Sequence, residues 1–142
     1  MKKLIFLFAI LTVTVSTAQE DWGDVNKNKL TMKEIAPVWP GCKGSTSQKD
    51  ACFNTKLTEH IVKNFKYPTE EYKKNIQGRV TVNFTINEKG NVEVTSVTGG
   101  NSGLQKAAKE NILKMPQLTP GMMGGKPRAI KMSVPFTFKT GK

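Results

Sequence analysis

The stretch GRVTVNFTINEKGNVEVTSV, residues 78–97, decides how this chain is read. Val80, Val82, Phe84 and Ile86 alternate with Thr81, Asn83 and Thr85. A two-residue period of this kind predicts a strand with one buried and one solvated face. NEKG, residues 87–90, follows as a hairpin turn in which Gly90 is free to take a positive φ. NVEVTSV, residues 91–97, returns as a second strand.

Downstream, GGNSGLQKAAKENILKM (99–115) opens with a glycine-rich turn. Ser102 and Gln105 have the spacing of a capping box. Leu104, Ala107, Ala108, Ile112 and Met115 then form the apolar face of a helix that Pro116 ends. PQLTPGMMGGKPR (116–128) reads as a loop. In AIKMSVPFTF (129–138), Ile130, Met132, Val134, Phe136 and Phe138 alternate with Lys131, Ser133, Pro135 and Thr137, predicting a third strand. A helical crossover makes it parallel to the second strand. Laid beside the first, it gives the order 2-1-3 with every neighbour antiparallel. The fold class expected is α+β, with two helices on one face of a three-stranded antiparallel sheet, a polar opposite face and an irregular N-terminal arm.

Pro135 cannot donate to a ladder. It fits if the third strand is an edge and its nitrogen turns outward. Lys131, Ser133 and Thr137 share that parity, while Met132, Val134 and Phe136 pair inward. A proline blunts an open edge against aggregation. An edge left partly open also accepts a peptide strand. Residue physics alone leaves both readings open.

Upstream, CFNTKLTEHIVKNF (52–65) sets Phe53, Leu57, Ile61 and Phe65 at four-residue spacing, one helical face. KYP breaks it. TEEYKKN follows as a short helix, with Glu70 and Glu71 early and Lys73 and Lys74 late, matched to the helix dipole. His60 beside the apolar stripe reads as a packed side chain. Residues 19–40 are polar and end in APVWPGC, an extended arm whose Val38 and Trp39 pack on the domain. KGSTSQKD (43–50) reads as a loop by composition.

The N-terminus carries a different kind of signal. MKK, an apolar run of 12 residues (4–15), and the small residues Ser16 and Ala18 compose a secretory leader cut after Ala18. The less favoured alternative keeps residues 4–15 as an inner-membrane anchor. Loss of Lys2 and Lys3 takes the formal charge from +11 to +9. Export argues against nucleic acid as the partner, and the lysines are scattered rather than clustered. The anionic partners left are lipid headgroups, wall polymers such as peptidoglycan, and acidic peptides. In an oxidising compartment, Cys42 and Cys52 form a disulfide by default. A zinc site needs more ligands than two thiols and the sole histidine, His60.

No enzyme is expected. There is no Ser/His/Asp or metal set, and Glu70 and Glu71 point apart on a helix. Catalytic residues, cofactors and metals are all read as none. GGNSG and GMMGGK match no phosphate-binding loop, because Gly125-Lys126 runs into Pro127.

Taken in order, Tyr67-Pro68, Gly78 with Val80 and Val82, the Gly90 turn, Pro120-Gly121 and the final alternating strand resemble the C-terminal domain of TonB, the energy transducer of Gram-negative envelopes. PVWPGC and ACFN resemble the extension that precedes this domain in exported relatives. The resemblance spans residues 53–139, after a leader at 1–18 and an arm with its disulfide loop at 19–52. It implies a two-helix, three-stranded fold whose third strand pairs with the TonB box, a short peptide of outer-membrane receptors. Carried over by position, the peptide-binding residues are Ile130, Lys131, Met132, Ser133, Val134, Pro135, Phe136 and Thr137, with Gln77, Gly78 and Arg79 as weaker candidates. Other envelope transport proteins are further partners, and the open edge allows a homodimer. A complete transducer needs a membrane anchor and a long proline-rich spacer. Gln19 to Pro40 spans 22 residues, with Pro37 and Pro40 its only prolines. As polyproline it reaches less than about 70 Å. The expectation is a free-standing periplasmic domain in TonB-dependent transport, not an energy transducer by itself. The alternative is a cell-wall-associated or structural envelope protein with no transport role.

Overall fold

The computed structural model describes residues 33–141. In chain order these run β1 (Glu34–Ile35), α1 (Thr46–Lys63), α2 (Thr69–Lys73), β2 (Gly78–Ile86), β3 (Val92–Thr98), α3 (Ser102–Leu113), β4 (Gly121–Met123), β5 (Lys126–Arg128) and β6 (Ile130–Phe138). The leader expected at residues 1–18, and the anchor alternative at 4–15, lie outside the described residues. Among the described residues, no helix is long and apolar enough to cross a membrane.

The alternating residues of β2 and β6 do what their period demands. β2 pairs with β3 on one side and β6 on the other, both antiparallel. The β2–β6 register is unbroken from Gly78↔Phe138 to Ile86↔Ile130. β2–β3 is interrupted once, between Asn83 and Phe84. Val80, Val82, Phe84 and Ile86 are buried on one face with Val134, Phe136 and Phe138. Each such burial contributes about 1.5–3 kcal/mol. On the other face Asn83 Nδ2 donates to Ser96 Oγ at 2.9 Å across the strands, a polar pairing suited to a solvated surface.

α3 lays Leu104, Ala108 and Ile112 onto β2 and β3. α1 contributes Phe53 and Leu57 to the same core, with Ile61 half-buried. The stripe weakens at Phe65, which is 39% exposed past the helix end. The β2–β3 turn needs its glycine. Gly90 has φ +83°, and a Cβ there would stand 1.7 Å from the Leu118 carbonyl oxygen.

Three local expectations are corrected. α1 begins at Thr46, inside the stretch that composition marks as loop. Ser45 Oγ accepts from Gln48 N and Gln48 Oε1 accepts from Ser45 N, and this reciprocal cap stabilises a helical first turn rich in Ser and Thr. At α3, Asn101 rather than Ser102 caps the helix, its Oδ1 accepting from Leu104 N at 3.0 Å. Gln105 instead donates to the Gly99 carbonyl. Finally, residues 116–128 are not simply loop. β4 and β5 form a hairpin around Gly124-Gly125, and β1 pairs with β4, making a second three-stranded sheet of order β1-β4-β5. Strands of two or three residues carry too little periodicity to be seen in the sequence.

Candidate functional site

Among the described residues β6 is an edge strand, hydrogen-bonded to β2 alone. Antiparallel partners alternate between pairs that exchange both backbone hydrogen bonds and pairs that exchange none. Pro135 stands opposite Thr81 and has no N–H, so this pair falls among those that exchange none. Lys131, Ser133 and Thr137 share its parity. Their N–H and C=O groups therefore point away from β2, with the Pro135 carbonyl among them. The strand is strong and carries a proline because the proline faces outward.

All eight positions from Ile130 to Thr137 lie consecutively on this strand. Their side chains divide between the faces. Val134 and Phe136 enter the core, Ile130 and Met132 are half-buried, and Lys131, Ser133, Pro135 and Thr137 are exposed. Gln77, Gly78 and Arg79 stand at the far end. Gly78 and Arg79 are paired with Phe138 and Thr137, so they lie on β2, one strand in from the free edge. Gln77 is occupied by Asn75 and the Thr140 amide.

The C-terminal end of β6 is held by aromatic rings. Phe138 packs against Phe65 at 5.1 Å and Tyr67 at 5.4 Å between centroids, and Tyr67 meets Tyr72 edge-on at 5.3 Å. Tyr67 Oη donates to the Ile76 carbonyl at 2.6 Å, closing the α2 turn. Burial, with Tyr72 and Glu71 beside it, pushes the Tyr67 phenol above its usual value and keeps it a donor.

The N-terminal end of β6 is different. Ile130 and Met132 form one wall of a groove of about 320 Å³ whose other walls are Ala36 and Pro37 of the arm and Phe53 and Asn54 of α1. Asp50 and Lys131 add one charge of each sign. The arm is fixed there by two anchors. Cys42 and Cys52 are joined by a disulfide, with Cα atoms 5.8 Å apart. Trp39 is buried, its ring 5.9 Å from Phe53 and 5.8 Å from His60. Val38, as expected of the arm, is held too, exchanging backbone hydrogen bonds with Thr119. The groove had no signature in the sequence beyond Phe53 heading the α1 stripe and the apolar residues of APVW.

His60 packs as a structural residue. Its Nε2 donates to the Asn111 carbonyl, which leaves Nδ1 to accept from Asn64 Nδ2. Among the described residues, no group of three or more His, Cys, Asp or Glu side chains could hold a metal ion.

The family model of the Gram-negative bacterial TonB protein C-terminal matches residues 63–140, from the last residue of α1 through β6. No curated protein matches the chain. Among solved structures, it is similar to the Helicobacter pylori TonB C-terminal domain in two solution structures. The longer form is 23% identical, with 70% of this chain and 98% of that one covered and a TM-score of 0.47. The shorter is 21% identical, with 63% and 96% covered and a TM-score of 0.38. The family match covers more than half of the sequence, and so the chain belongs to the TonB C-terminal domain family, a non-enzymatic, transport-related family whose domains interact with outer-membrane receptors.

Proposed function

We propose that this domain binds TonB-box peptides of outer-membrane receptors by adding the peptide as a strand to the open edge of β6. The observation that carries this reading is the edge itself, nine residues long and, among the described residues, paired on one side only. An added strand would take its main-chain hydrogen bonds from the outward groups of Lys131, Ser133 and Thr137 and from the Pro135 carbonyl. Affinity then comes from the ladder and selectivity from alternate side chains. The Pro135 nitrogen offers no donor, which weakens pairing of the edge with a second copy of itself more than pairing with a ligand that leaves that position unbonded.

In this reading the protein is periplasmic, exported by the leader at residues 1–18. We read it as a peptide-binding module rather than a complete energy transducer, a reading supported by Val38 and Trp39 of the arm being docked on the domain instead of extended as a spacer. The test is an NMR titration of the disulfide-bonded protein with TonB-box peptides from outer-membrane receptors of the same organism. Amide shifts concentrated on Ile130–Thr137 are expected. An unshifted β6 at millimolar peptide overturns the proposal.

A further inference from the structure

The burial of β6 is uneven. Its core-facing residues run from half-buried Ile130 and Met132 to fully buried Val134, Phe136 and Phe138. The uncovered part coincides with the groove bounded by Pro37, Phe53 and Asn54. That groove is lined by β6, the arm and the α1 segment, and by no residue of β2 or β3. Successive side chains of a strand point to opposite faces. A strand added to β6 would therefore turn every second side chain toward the face that carries Ile130 and Met132, and near them such a side chain would enter the groove.

The size and charge of the groove restrict the occupant. About 320 Å³ is at the lower end of ligand pockets and leaves room for one large apolar side chain. Asp50 and Lys131 both line it, so neither sign of charge is favoured inside and its apolar walls set what it takes. Lys131 is exposed at the groove's rim, and Lys126, Arg128, Lys131 and Lys139 are the only charged side chains between residues 126 and 139. An acidic side chain on the outward face of an added strand would meet this cationic stretch. Five of the eight groove-lining residues come from residues 36–54, upstream of the 63–140 family match, so it is a feature of this chain's disulfide-pinned arm and extended α1.

We infer that the groove is a side-chain pocket that selects an extended acidic peptide carrying one large aliphatic residue opposite Ile130–Met132. The inference rests on strand addition at β6 and deepens it, naming the residue class that sets selectivity.

The experiment uses the disulfide-bonded protein and a nine-residue peptide of alternating Thr and Leu with Glu at both ends. It is followed by calorimetry and by amide shifts. Replacing each Leu in turn by Ala should lower affinity about tenfold at one position only, the loss expected from one buried aliphatic side chain. That same replacement should remove the shifts at Phe53 and Asn54. Replacing Glu by Gln should weaken binding and its salt dependence. Asn54→Trp, on an exposed α1 position, fills the groove and should lower affinity about tenfold while the Ile130–Thr137 shifts persist. The peptide scan gives the same answer without any change to the protein. Uniform losses along the peptide, or unchanged binding to Asn54→Trp, with β6 shifts intact, overturn the pocket and leave strand addition standing. Absence of β6 shifts with any peptide overturns both.

Discussion

His60 and Asn111 tie α1 to α3 by hydrogen bonds in both directions. His60 Nε2 donates to the Asn111 carbonyl at 2.9 Å, while Asn111 Nδ2 donates to the Ile61 carbonyl at 3.0 Å. At the end of α1 the Ile61 carbonyl is not used by Phe65 N, which bonds Val62 instead. Asn111 thus satisfies one of the orphan carbonyls of a helix terminus from another helix. Among the described residues it is the one buried polar side chain, 2% exposed.

Asn111→Ala should therefore destabilise by about 2 kcal/mol, through a lost hydrogen bond and a carbonyl left unpaired in a partly buried site. Urea unfolding followed by circular dichroism measures it. A change below about 0.5 kcal/mol would show that water replaces the amide at no cost.

The disulfide closes a short loop, with Cys42 and Cys52 10 residues apart. Cys42→Ala with Cys52→Ala should cost about 2–3 kcal/mol by the chain-entropy argument. The same denaturant titration reads it. Because the arm forms a wall of the groove beside β6, the double variant should also show raised amide exchange at Val38 and Thr119.

Pro135→Thr restores an N–H on the outward edge of β6. The monomer should change by less than about 1 kcal/mol, since the site is exposed and only backbone entropy and propensity are altered. Self-association should increase, visible as concentration-dependent sedimentation. A variant that stays monomeric at the same concentrations as the parent would show that the proline does not protect this edge.

The Tyr67 phenol ionises above its usual value near 10 in the folded chain. A group raised on folding contributes stability that is complete below the unfolded value and is lost as pH rises through the folded one. Stability should therefore fall on going above pH 10, and more steeply in the parent than in Tyr67→Phe. Below that range Tyr67→Phe should be the less stable, having lost the hydrogen bond to Ile76. Parallel curves for the two proteins in denaturant titrations from pH 7 to 11 would refute this.

Gly90→Ala places a Cβ against the Leu118 carbonyl in a backbone conformation that L-residues avoid. A loss of roughly 2–4 kcal/mol is expected in thermal or urea unfolding, since both strain and displacement of the 116–118 segment are involved.

Much of this architecture is carried by local pattern. Val80 to Ile86 and Ile130 to Phe138 alternate strictly, and each becomes a nine-residue strand with the expected face buried. Leu104, Ala108 and Ile112 pack as their spacing requires, and Pro135 marks β6 as an edge because a missing N–H is a property of one residue. Periodicity and proline chemistry are written in neighbouring residues, and the family likeness is carried by the same pattern. The tertiary structure alone decided the rest. Ser45 and Gln48 cap each other and turn a loop-like composition into helix. Short β1, β4 and β5 exist only through one another. Asn111 finds Ile61, and residues 36–54 meet residues 130–132 to form a groove. These features depend on distant segments meeting, and no local period records which polar group or apolar wall will face another once the chain has closed on its core.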